Sequence, residues 1–383
     1  MKYRFTCLTP VLAGDGRKLS PIDYMVWKDH VNVLDQKRIF RLLAKGPRLD
    51  NYLSQLKKAE KLDFASWGGF AQNFAGRRIP FEHPSCAQHW ERARTENLHI
   101  PTFASGPGGP YLPATALKGA LRTAWFFHRI GKSPFSHLAS ELSADRPRRL
   151  GASAEDRVLG SGGSDPLRLV QISDSETVAP SQFKVYLLRV ASLKARGKDG
   201  FIFGWKQSPS GTADAAKPEE GAPTFAEMAA PGTVFEGRWS ERSYLTRPEV
   251  REVLRWKEEP SRTAFFEAAN QYSQAVLESH ARFAELTGLS ALRHGIQRLL
   301  ARLEEVRQNA SGCLLPVGWG GGFLARVGWL ETDDPSFRQL LAQTKLYGRG
   351  PAPGFPFPKT RRIVFLEGKP ACLPGWGLLE VAD

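Results

Sequence analysis

The chain is 383 residues long and 42% hydrophobic, which is enough for a sizeable core and suggests two or three domains. No apolar run approaches the roughly 20 residues that a transmembrane helix needs, and the N-terminus resembles a strand without a signal-peptide core. The four cysteines are scattered without a CxxC pair, which favours a reducing cytoplasm over a disulfide framework. We therefore expect a cytoplasmic protein with no membrane contact.

The charge is strongly basic and unevenly distributed. The chain has 53 Lys and Arg against 39 Asp and Glu, a net charge of +14. Residues 1–110 hold 17 basic and 10 acidic side chains, and residues 111–210 hold 15 and 8, so the whole excess lies in the first 210 residues. A polyanionic partner such as nucleic acid is a physical reason for this excess, although basic surfaces also occur merely for solubility.

The N-terminal segment combines a strand with a glycine turn. Residues 2–9 alternate well enough for a strand. Gly14 and Gly16 then permit positive φ and a close backbone approach to a ligand, and Arg17 and Lys18 follow directly. A plain hairpin turn shaped by Asp15 is the open alternative.

The residues up to 110 predict a hairpin and two helices. A hairpin spans residues 22–34, and Asp35 caps a helix that ends before Gly46-Pro47. A second helix covers 48–64, and residues 65–110 are expected to be irregular because they are rich in Gly, Pro and aromatics. His83, Cys86 and His89, with His99 as a fourth ligand, form a zinc candidate, but the spacing matches no familiar signature and we expect no metal site.

Residues 113–131 predict a helix with two distinct sides. Pro113 suits the first helical position. One side is apolar and ends at His128. The other side is basic and carries Lys118, Arg122 and Arg129, with Trp125 among them. An ordinary solvated charged face is the alternative.

The remaining elements follow in order. Arg146-Pro147-Arg148-Arg149 predicts a mobile basic loop within residues 140–165. We expect paired strands at 167–175 and 183–191, a flexible insertion at about 197–224, a short strand at 232–237, and helices at 262–287 and 290–308. Glycines 318–322 predict a tight loop, Lys359 and Arg361 precede a strand at 363–366, and a last strand closes the chain. The domain prediction is 1–261, a helical segment 262–312, and a glycine-rich C-terminal part 313–383.

No convincing active site emerges. The sequence has no P-loop, HExxH, G-x-S-x-G or D-x-D metal pair, so we predict no catalytic residues, no metal and no cofactor. A ribonuclease arrangement of His30, Tyr24 and Lys18 is conceivable, but no spacing singles it out. Glycine loops, cations and aromatic side chains remain, which are typical of a surface that follows a phosphate backbone and stacks on bases. The aromatic candidates are Trp125, Trp205, Trp319 and Phe323.

Several of these segments together resemble one family, the RAMP proteins of CRISPR systems. More narrowly, the chain resembles the subunit of type III-A Csm complexes that caps the crRNA at its 3′ end. The blocks that carry the resemblance are L-T-P-V-x-x-G-x-G with S-P-x-D-Y (Leu8 to Tyr24), Y-L-P-x-x-x-L-K-G-A-L-R-T (Tyr111 to Thr123), L-V-Q-I-S-D-S (Leu169 to Ser175), L-P-V-G-W-G-G-G-F (Leu315 to Phe323), K-T-R-R (Lys359 to Arg362) and G-W-G (Gly375 to Gly377).

The resemblance implies an α+β fold, an RRM-like (ferredoxin-like) RAMP core with large insertions and an added helical segment. Residues 2–9 would be its first strand, 113–131 its first helix, 167–175 and 183–191 its central strands, and 262–308 its second helix with additions. The implied function is non-catalytic: holding the 3′ part of the guide RNA, capping the backbone filament and supporting 3′-end maturation. The implied partners are crRNA, target RNA, neighbouring Csm subunits and cellular nucleases for trimming.

The resemblance also implies RNA contacts. Together with the neighbouring cations, the matching positions are Gly14, Gly16, Arg17, Lys18, Lys118, Arg122, Gly318, Trp319, Gly320, Gly321, Gly322, Lys359 and Arg361. We expect the start of the 113–131 helix to face the RNA backbone, although Ala114 stands where the family usually has glycine. Two alternatives stay open: a metal-independent RAMP endoribonuclease that processes guide precursor, and a generic RNA-binding scaffold outside CRISPR.

Overall fold

The computed structural model describes ten stretches of the chain: residues 1–44, 48–58, 61–62, 71–131, 152–161, 163–197, 200–208, 215–256, 259–343 and 356–382. The predicted helix end at Gly46-Pro47 and the basic loop at 146–149 lie outside these residues. The described helices are α1 (Gln36–Leu43), α2 (Arg48–Lys58), α3 (Ala71–Phe74), α4 (Ser85–Arg92), α5 (Ala114–Arg129), α6 (Ala152–Leu159), α7 (Pro248–Leu254), α8 (Arg262–Thr287), α9 (Ser290–Asn309) and α10 (Pro335–Gln343).

Most of the described strands are short. They are β1 (Lys2–Cys7), β2 (Lys18–Leu19), β3 (Tyr24–Trp27), β4 (His30–Leu34), β5 (Ala75–Pro80), β6 (Ile100–Pro101), β7 (Ser105–Gly106), β8 (Gly109–Pro110), β9 (Val170–Ile172), β10 (Phe183–Arg196), β11 (Gly200–Trp205), β12 (Thr224–Ala229), β13 (Val234–Glu241), β14 (Gly312–Pro316), β15 (Thr360–Leu366), β16 (Lys369–Cys372) and β17 (Trp376–Ala382).

The first sheet has the RRM-like arrangement. Its strands lie in the order β14-β17-β1-β13-β9, and every adjacent pair is antiparallel. The core elements follow one another along the chain as β1, α5, β9, β13, α8 and β17. Across the sheet, the four strands lie in the order β17, β1, β13, β9, which is fourth, first, third and second in chain order. That is the order of a β-α-β-β-α-β unit, with β14 added outside β17. The predicted α+β RRM-like core is confirmed.

A second sheet lies around the long strand β10. Its order is β11-β10-β15-β16, and β12 pairs with the first half of β10. The predicted pairing of residues 183–191 with 167–175 is wrong, because β9 pairs with β13 through Trp239 and Ile172. The predicted strand is also shorter, because the Asp165 side chain accepts a hydrogen bond from the Leu167 N–H and starts a 3-10 turn, so β9 is only three residues long.

Aromatic side chains join the two sheets into one core. Phe103 stacks on Phe235 of the first sheet with ring centroids 5.4 Å apart, and it lies 4.9 Å from Phe183 of the second. All three belong to one cluster of buried residues with Tyr3 and Phe365. The domain boundaries at 261 and 312 stay a prediction.

Two segments are more regular than predicted. Residues 65–110 contain β5 and α4, and residues 197–224 contain β11, which continues from β10 as a hairpin. β5 was missed because it carries Arg77 and Arg78, and such polar residues suit a strand that is only partly buried. The predicted hairpin of β3 and β4 is confirmed, as is the Asp35 cap, which accepts a hydrogen bond from the Arg38 N–H.

The helices α8 and α9 are confirmed almost residue for residue. The Ser261 hydroxyl accepts a hydrogen bond from Ala264 N–H at the start of α8, and Gly288 ends it with φ of 68°. Asn270 donates to the Gly312 carbonyl at 3.1 Å and accepts from the Leu314 N–H at 3.0 Å, so α8 binds the backbone of β14. No helix in the described stretches is both long and apolar enough to cross a membrane.

Candidate nucleic-acid interface

Three segments that are distant in sequence meet at a groove on the surface. The groove has a volume of about 450 Å³. Its walls are the loop of residues 12–18, the start of α5 at Pro113 to Ala116, and Gly318 with Trp319. Gly14, Gly16, Arg17, Lys18, Gly318 and Trp319 from the predicted set all line this groove. The structure thus brings together residues that sequence reasoning had placed in separate motifs.

The loop of residues 12–18 presents two exposed cations. The Asp15 carboxylate accepts a hydrogen bond from the Arg17 N–H at 3.0 Å, so Asp15 shapes the turn as expected. Gly16 has φ of 90°, and a Cβ there would meet nothing within 4 Å. The Arg17 guanidinium lies 3.3 Å from Asp15 but its side chain is 79% exposed, and Lys18 is exposed. Both cations are therefore accessible to a solvent-borne anion.

The glycine-rich loop forms the opposite wall. Gly318 has φ of 78°, and a Cβ there would collide with the Leu12 carbonyl oxygen. The Trp319 N–H donates to that same oxygen at 2.7 Å, which fixes the loop against residues 12–13. The Arg362 guanidinium stacks on the half-buried Trp319 ring at 4.2 Å from its centroid. Trp319 is therefore held in place at the edge of the groove.

The start of α5 already carries a carboxylate. Pro113 is the N-cap residue, one position before its predicted place, and its side chain makes no capping bond. Instead, the Asp174 carboxylate accepts a hydrogen bond from the Ala114 N–H at 2.8 Å. Because this N–H is occupied, it is not available to a phosphate. The sequence does not predict this contact, since nothing local pairs Asp174 with a helix start 60 residues earlier.

Lys118 and Arg122 make contacts inside the protein. The Lys118 ammonium donates to the Val170 carbonyl at 2.8 Å, and partial burial lowers the pKa of this lysine. Arg122 donates to Asp165 at 2.8 Å and to Glu155 at 3.1 Å. Burial pulls the Arg122 pKa down, but these two carboxylates outweigh it and the net pKa is raised. The basic side of α5 therefore contacts β9 and α6 inside the protein. The RNA contact predicted for Lys118 and Arg122 stays a prediction, and these internal contacts favour the exposed Arg17 and Lys18 over them.

The two predicted cations at 359 and 361 differ in position. Lys359 is exposed, whereas Arg361 is only 7% exposed, contrary to the surface position that its predicted role requires. Its Nε donates to His280 Nδ1 at 2.8 Å, and its guanidinium lies 4.8 Å from the centroid of Phe283. Burial lowers the pKa of Arg361 to about 9, so it remains charged at neutral pH.

Two of the four aromatic candidates are unavailable for stacking. Trp125 and Trp205 are 2% and 1% exposed, and Trp125 packs on Phe265 of α8 with centroids 4.8 Å apart. Trp319 and Phe323 are partly exposed. The placement of His128 on the apolar side of α5 is wrong, because its ring is exposed and contacts Gln271.

The residues considered for catalysis do not form a catalytic group. The buried Tyr24 hydroxyl donates to the Leu98 carbonyl at 2.6 Å and accepts from Trp90 at 2.8 Å, and burial raises its pKa. His30 pairs with its neighbour Asp29 at 2.7 Å. With both hydrogen-bonding positions of Tyr24 occupied inside the core, it does not reach a substrate.

The zinc candidate also lacks the geometry of a metal site. Cys86 is buried, and burial raises its pKa to about 11, which disfavours the thiolate. The Nδ1 of His89 lies 3.3 Å from the Arg189 guanidinium. Within the part of the chain that the structure describes, no three His, Cys, Asp or Glu side chains are placed to hold a metal ion.

Comparison with known families identifies the chain. A model of the RAMP superfamily matches residues 4–324, which is most of the sequence. The chain belongs to the RAMP superfamily. A curated relative, the "CRISPR system Cms protein Csm5" of Methanocaldococcus jannaschii, is 22% identical over 147 residues. This match covers 35% of the chain and about a third (32%) of the length of that relative.

Two solved structures share the fold over nearly their whole length. One is a chain of the cryo-EM structure of a Csm–crRNA–target RNA ternary complex in a type III-A CRISPR-Cas system, with a TM-score of 0.69, 21% identity, and coverage of 99% of this chain and 100% of that one. The other is the crystal structure of T. onnurineus Csm5, with a TM-score of 0.62, 19% identity, and coverage of 98% and 99%. The RAMP resemblance found in the sequence is therefore confirmed.

Proposed function

We propose that this RAMP protein is a crRNA-binding structural subunit of a type III-A Csm complex. In this role it holds the 3′ part of the guide RNA, caps the backbone filament and supports 3′-end maturation by separate nucleases. Its partners are crRNA, target RNA and neighbouring Csm subunits. The similarity to a chain of a Csm–crRNA–target RNA complex supports this assembly.

The groove is the observation that carries the proposal. It combines two exposed cations, Arg17 and Lys18, with a glycine turn that leaves open space and with a partly exposed indole at Trp319. Cations that follow a phosphate backbone and aromatics that stack on bases are the means by which proteins bind single-stranded RNA. We propose that Gly14, Gly16, Gly318 and Trp319 contact the RNA there together with these cations.

The proposed role is binding without chemistry. Phosphodiester cleavage without a metal needs a general base and acid that reach the RNA, and the Tyr24 hydroxyl is buried and hydrogen-bonded in the core. Incubation of the purified protein with repeat RNA in EDTA tests this. We expect no specific cleavage; cleavage that is lost in a His30→Ala or His128→Ala variant would establish the endoribonuclease instead.

Co-purification tests the RNA partner. The tagged chain is expressed with its neighbouring genes, and the RNA it retains is sequenced at both ends. We expect short repeat-derived guides with a ladder of 3′ ends, and several-fold less of them with Arg17→Ala/Lys18→Ala. A matched control is Lys57→Ala/Lys58→Ala, which removes two exposed cations of α2 that do not line the groove. Retention of bulk cellular RNA without guides would indicate a generic RNA-binding scaffold.

A further inference from the structure

A second and larger depression lies on the other side of the glycine-rich loop. It is a cavity of about 620 Å³, within the range of about 300–1,000 Å³ typical of small-ligand sites. Gly320 to Gly322, the segment from Pro356 to Arg362, and the far end of β10 line it.

Positive charge is concentrated on its walls. Five cationic side chains line it, and the described lining residues include no Asp or Glu. Burial lowers the pKa of Lys206, and the positive charge of Lys359 lowers it further. The Nε of Arg362 is buried without a hydrogen-bond partner. The five cations are Lys194, Lys206, Lys359, Arg361 and Arg362.

The rest of the lining is apolar and partly aromatic. Phe323 and Phe357 meet edge to face with ring centroids 5.1 Å apart. Trp376 and four prolines also line the cavity: Pro316, Pro356, Pro358 and Pro374. Flat apolar surfaces next to concentrated positive charge match a ligand that is itself flat and apolar at one end and anionic at the other. A nucleotide, with a planar base and a phosphate, has this chemistry.

The cavity and the groove share one boundary. Trp319 lines the groove, and the next three residues line the cavity. Arg362 lines the cavity while its guanidinium stacks on Trp319 at 4.2 Å. A single strand that leaves the groove therefore needs to cross only the glycine-rich loop to place a nucleotide in the cavity.

We propose that the cavity binds one nucleotide of a single-stranded RNA that lies in the groove, with its base against Phe323 and Phe357 and its phosphate near Lys206 and Lys359. This inference rests on the proposed RNA-binding function and adds a nucleotide subsite to it.

Photocrosslinking and titration of the full-length protein test the subsite. A series of short oligoribonucleotides carries 5-iodouridine at one position each. We expect one position to crosslink to Phe357 or Phe323, and we expect Lys206→Ala/Lys359→Ala to abolish that crosslink and to weaken binding about tenfold. The exposed Lys359→Glu alone, which keeps the buried lining intact, should weaken binding in the same direction. Lys57→Ala/Lys58→Ala is the control and should bind like the wild type.

The outcomes separate the subsite from the proposed function. Wild-type affinity in both cavity variants, with no crosslink at either phenylalanine, would overturn the subsite. If Arg17→Ala/Lys18→Ala still weakens binding in that case, the proposed function stands without the subsite. Uridine monophosphate is expected to bind far more weakly than the oligonucleotide; equal affinity would overturn the assignment to RNA in favour of a free nucleotide. Absence of any RNA binding by the wild type would contradict the proposed function itself.

Discussion

The loop of residues 12–18 and the basic side of α5 carry the same kind of residue in very different surroundings. Arg17 and Lys18 are exposed at the rim of the groove. Lys118 and Arg122 are bound to the Val170 carbonyl and to two carboxylates. Arg17 also pairs with Asp15, but its side chain is 79% exposed and remains accessible to a ligand, whereas Lys118 and Arg122 are held by partners from distant segments. The net charge of the sequence does not distinguish cations bound within the protein from cations that are accessible to a ligand.

The largest expected effect on stability comes from Gly318, in the groove wall opposite the exposed cations Arg17 and Lys18. Gly318→Ala places a Cβ against the Leu12 carbonyl at a φ of 78°, so we expect a loss of about 3 kcal/mol in the free energy of unfolding and a displaced Trp319. Gly322→Ala is the control, because its φ is 71° but nothing lies within 4 Å of the added Cβ; it should cost about 1 kcal/mol. Urea denaturation measures both. Equal losses would mean that backbone strain alone, without the contact to Leu12, sets the cost.

The bound cations of α5 should act on stability. We expect Lys118→Met/Arg122→Met to lower the free energy of unfolding by about 2 kcal/mol, because it removes the side-chain donor to the Val170 carbonyl and the charged partner of Asp165. Arg17→Met/Lys18→Met should change it by less than about 0.5 kcal/mol, as is usual for exposed positions. Thermal or urea unfolding compares the pair. An unstable Arg17/Lys18 variant would remove the distinction between the two regions.

Arg361 extends the comparison to a third bound cation and gives it a pH dependence. His280 must be neutral to accept the hydrogen bond from Arg361, and burial together with this arginine holds the His280 pKa well below its usual range. Below about pH 6.5, His280 binds a proton in the unfolded chain but stays neutral in the folded protein. The free energy of unfolding should therefore decrease as the pH is lowered below about 6.5, by up to about 1.4 kcal/mol per pH unit. His280→Asn, which keeps an acceptor, should flatten this slope between pH 7 and 5. An unchanged slope would assign the titration to another group.

The smallest expected effect is a gain of affinity. Asp174→Asn keeps an oxygen that accepts from the Ala114 N–H but removes a negative charge beside the groove. We expect RNA to bind about two- to threefold more tightly at low salt, and the gain to vanish at high salt because exposed charges are screened. Fluorescence anisotropy at two salt concentrations measures it. Weaker binding would indicate that Asp174 positions the helix start for the RNA.

The sequence predicted local structure well where the determinants are local. Ser261 and Gly288 bound α8 as their capping preferences require, and the alternation of residues 2–9 gave β1 correctly. It did not predict the partner of β9, because strand pairing depends on β13, more than 60 residues later in the chain. The strand partner is a tertiary property that a three-residue strand does not encode.

The candidate site likewise has features that the sequence predicted and features that depend on tertiary contacts. The family resemblance singled out Gly14, Gly16 and the glycines at 318–322. The structure brings Gly14, Gly16 and Gly318 to one groove, whereas Gly320 to Gly322 line the neighbouring cavity. The cation partners could not be predicted, since Lys118 and Val170, Arg122 and Asp165, and Arg361 and His280 are each more than 40 residues apart. Burial of Trp125 and Trp205 likewise depends on which helix and strand cover them.

The salt dependence of RNA binding tests the central claim most directly. Affinity for a single-stranded guide-length RNA is measured across a salt series for the wild type, Arg17→Ala/Lys18→Ala and Lys118→Ala/Arg122→Ala, at a temperature where all three are folded. Two lost phosphate contacts reduce the slope of log affinity against log salt by about 1.4 for a single strand, and we predict this for Arg17→Ala/Lys18→Ala alone. The same reduction in Lys118→Ala/Arg122→Ala, with none in the groove variant, would contradict the assignment of RNA binding to the groove.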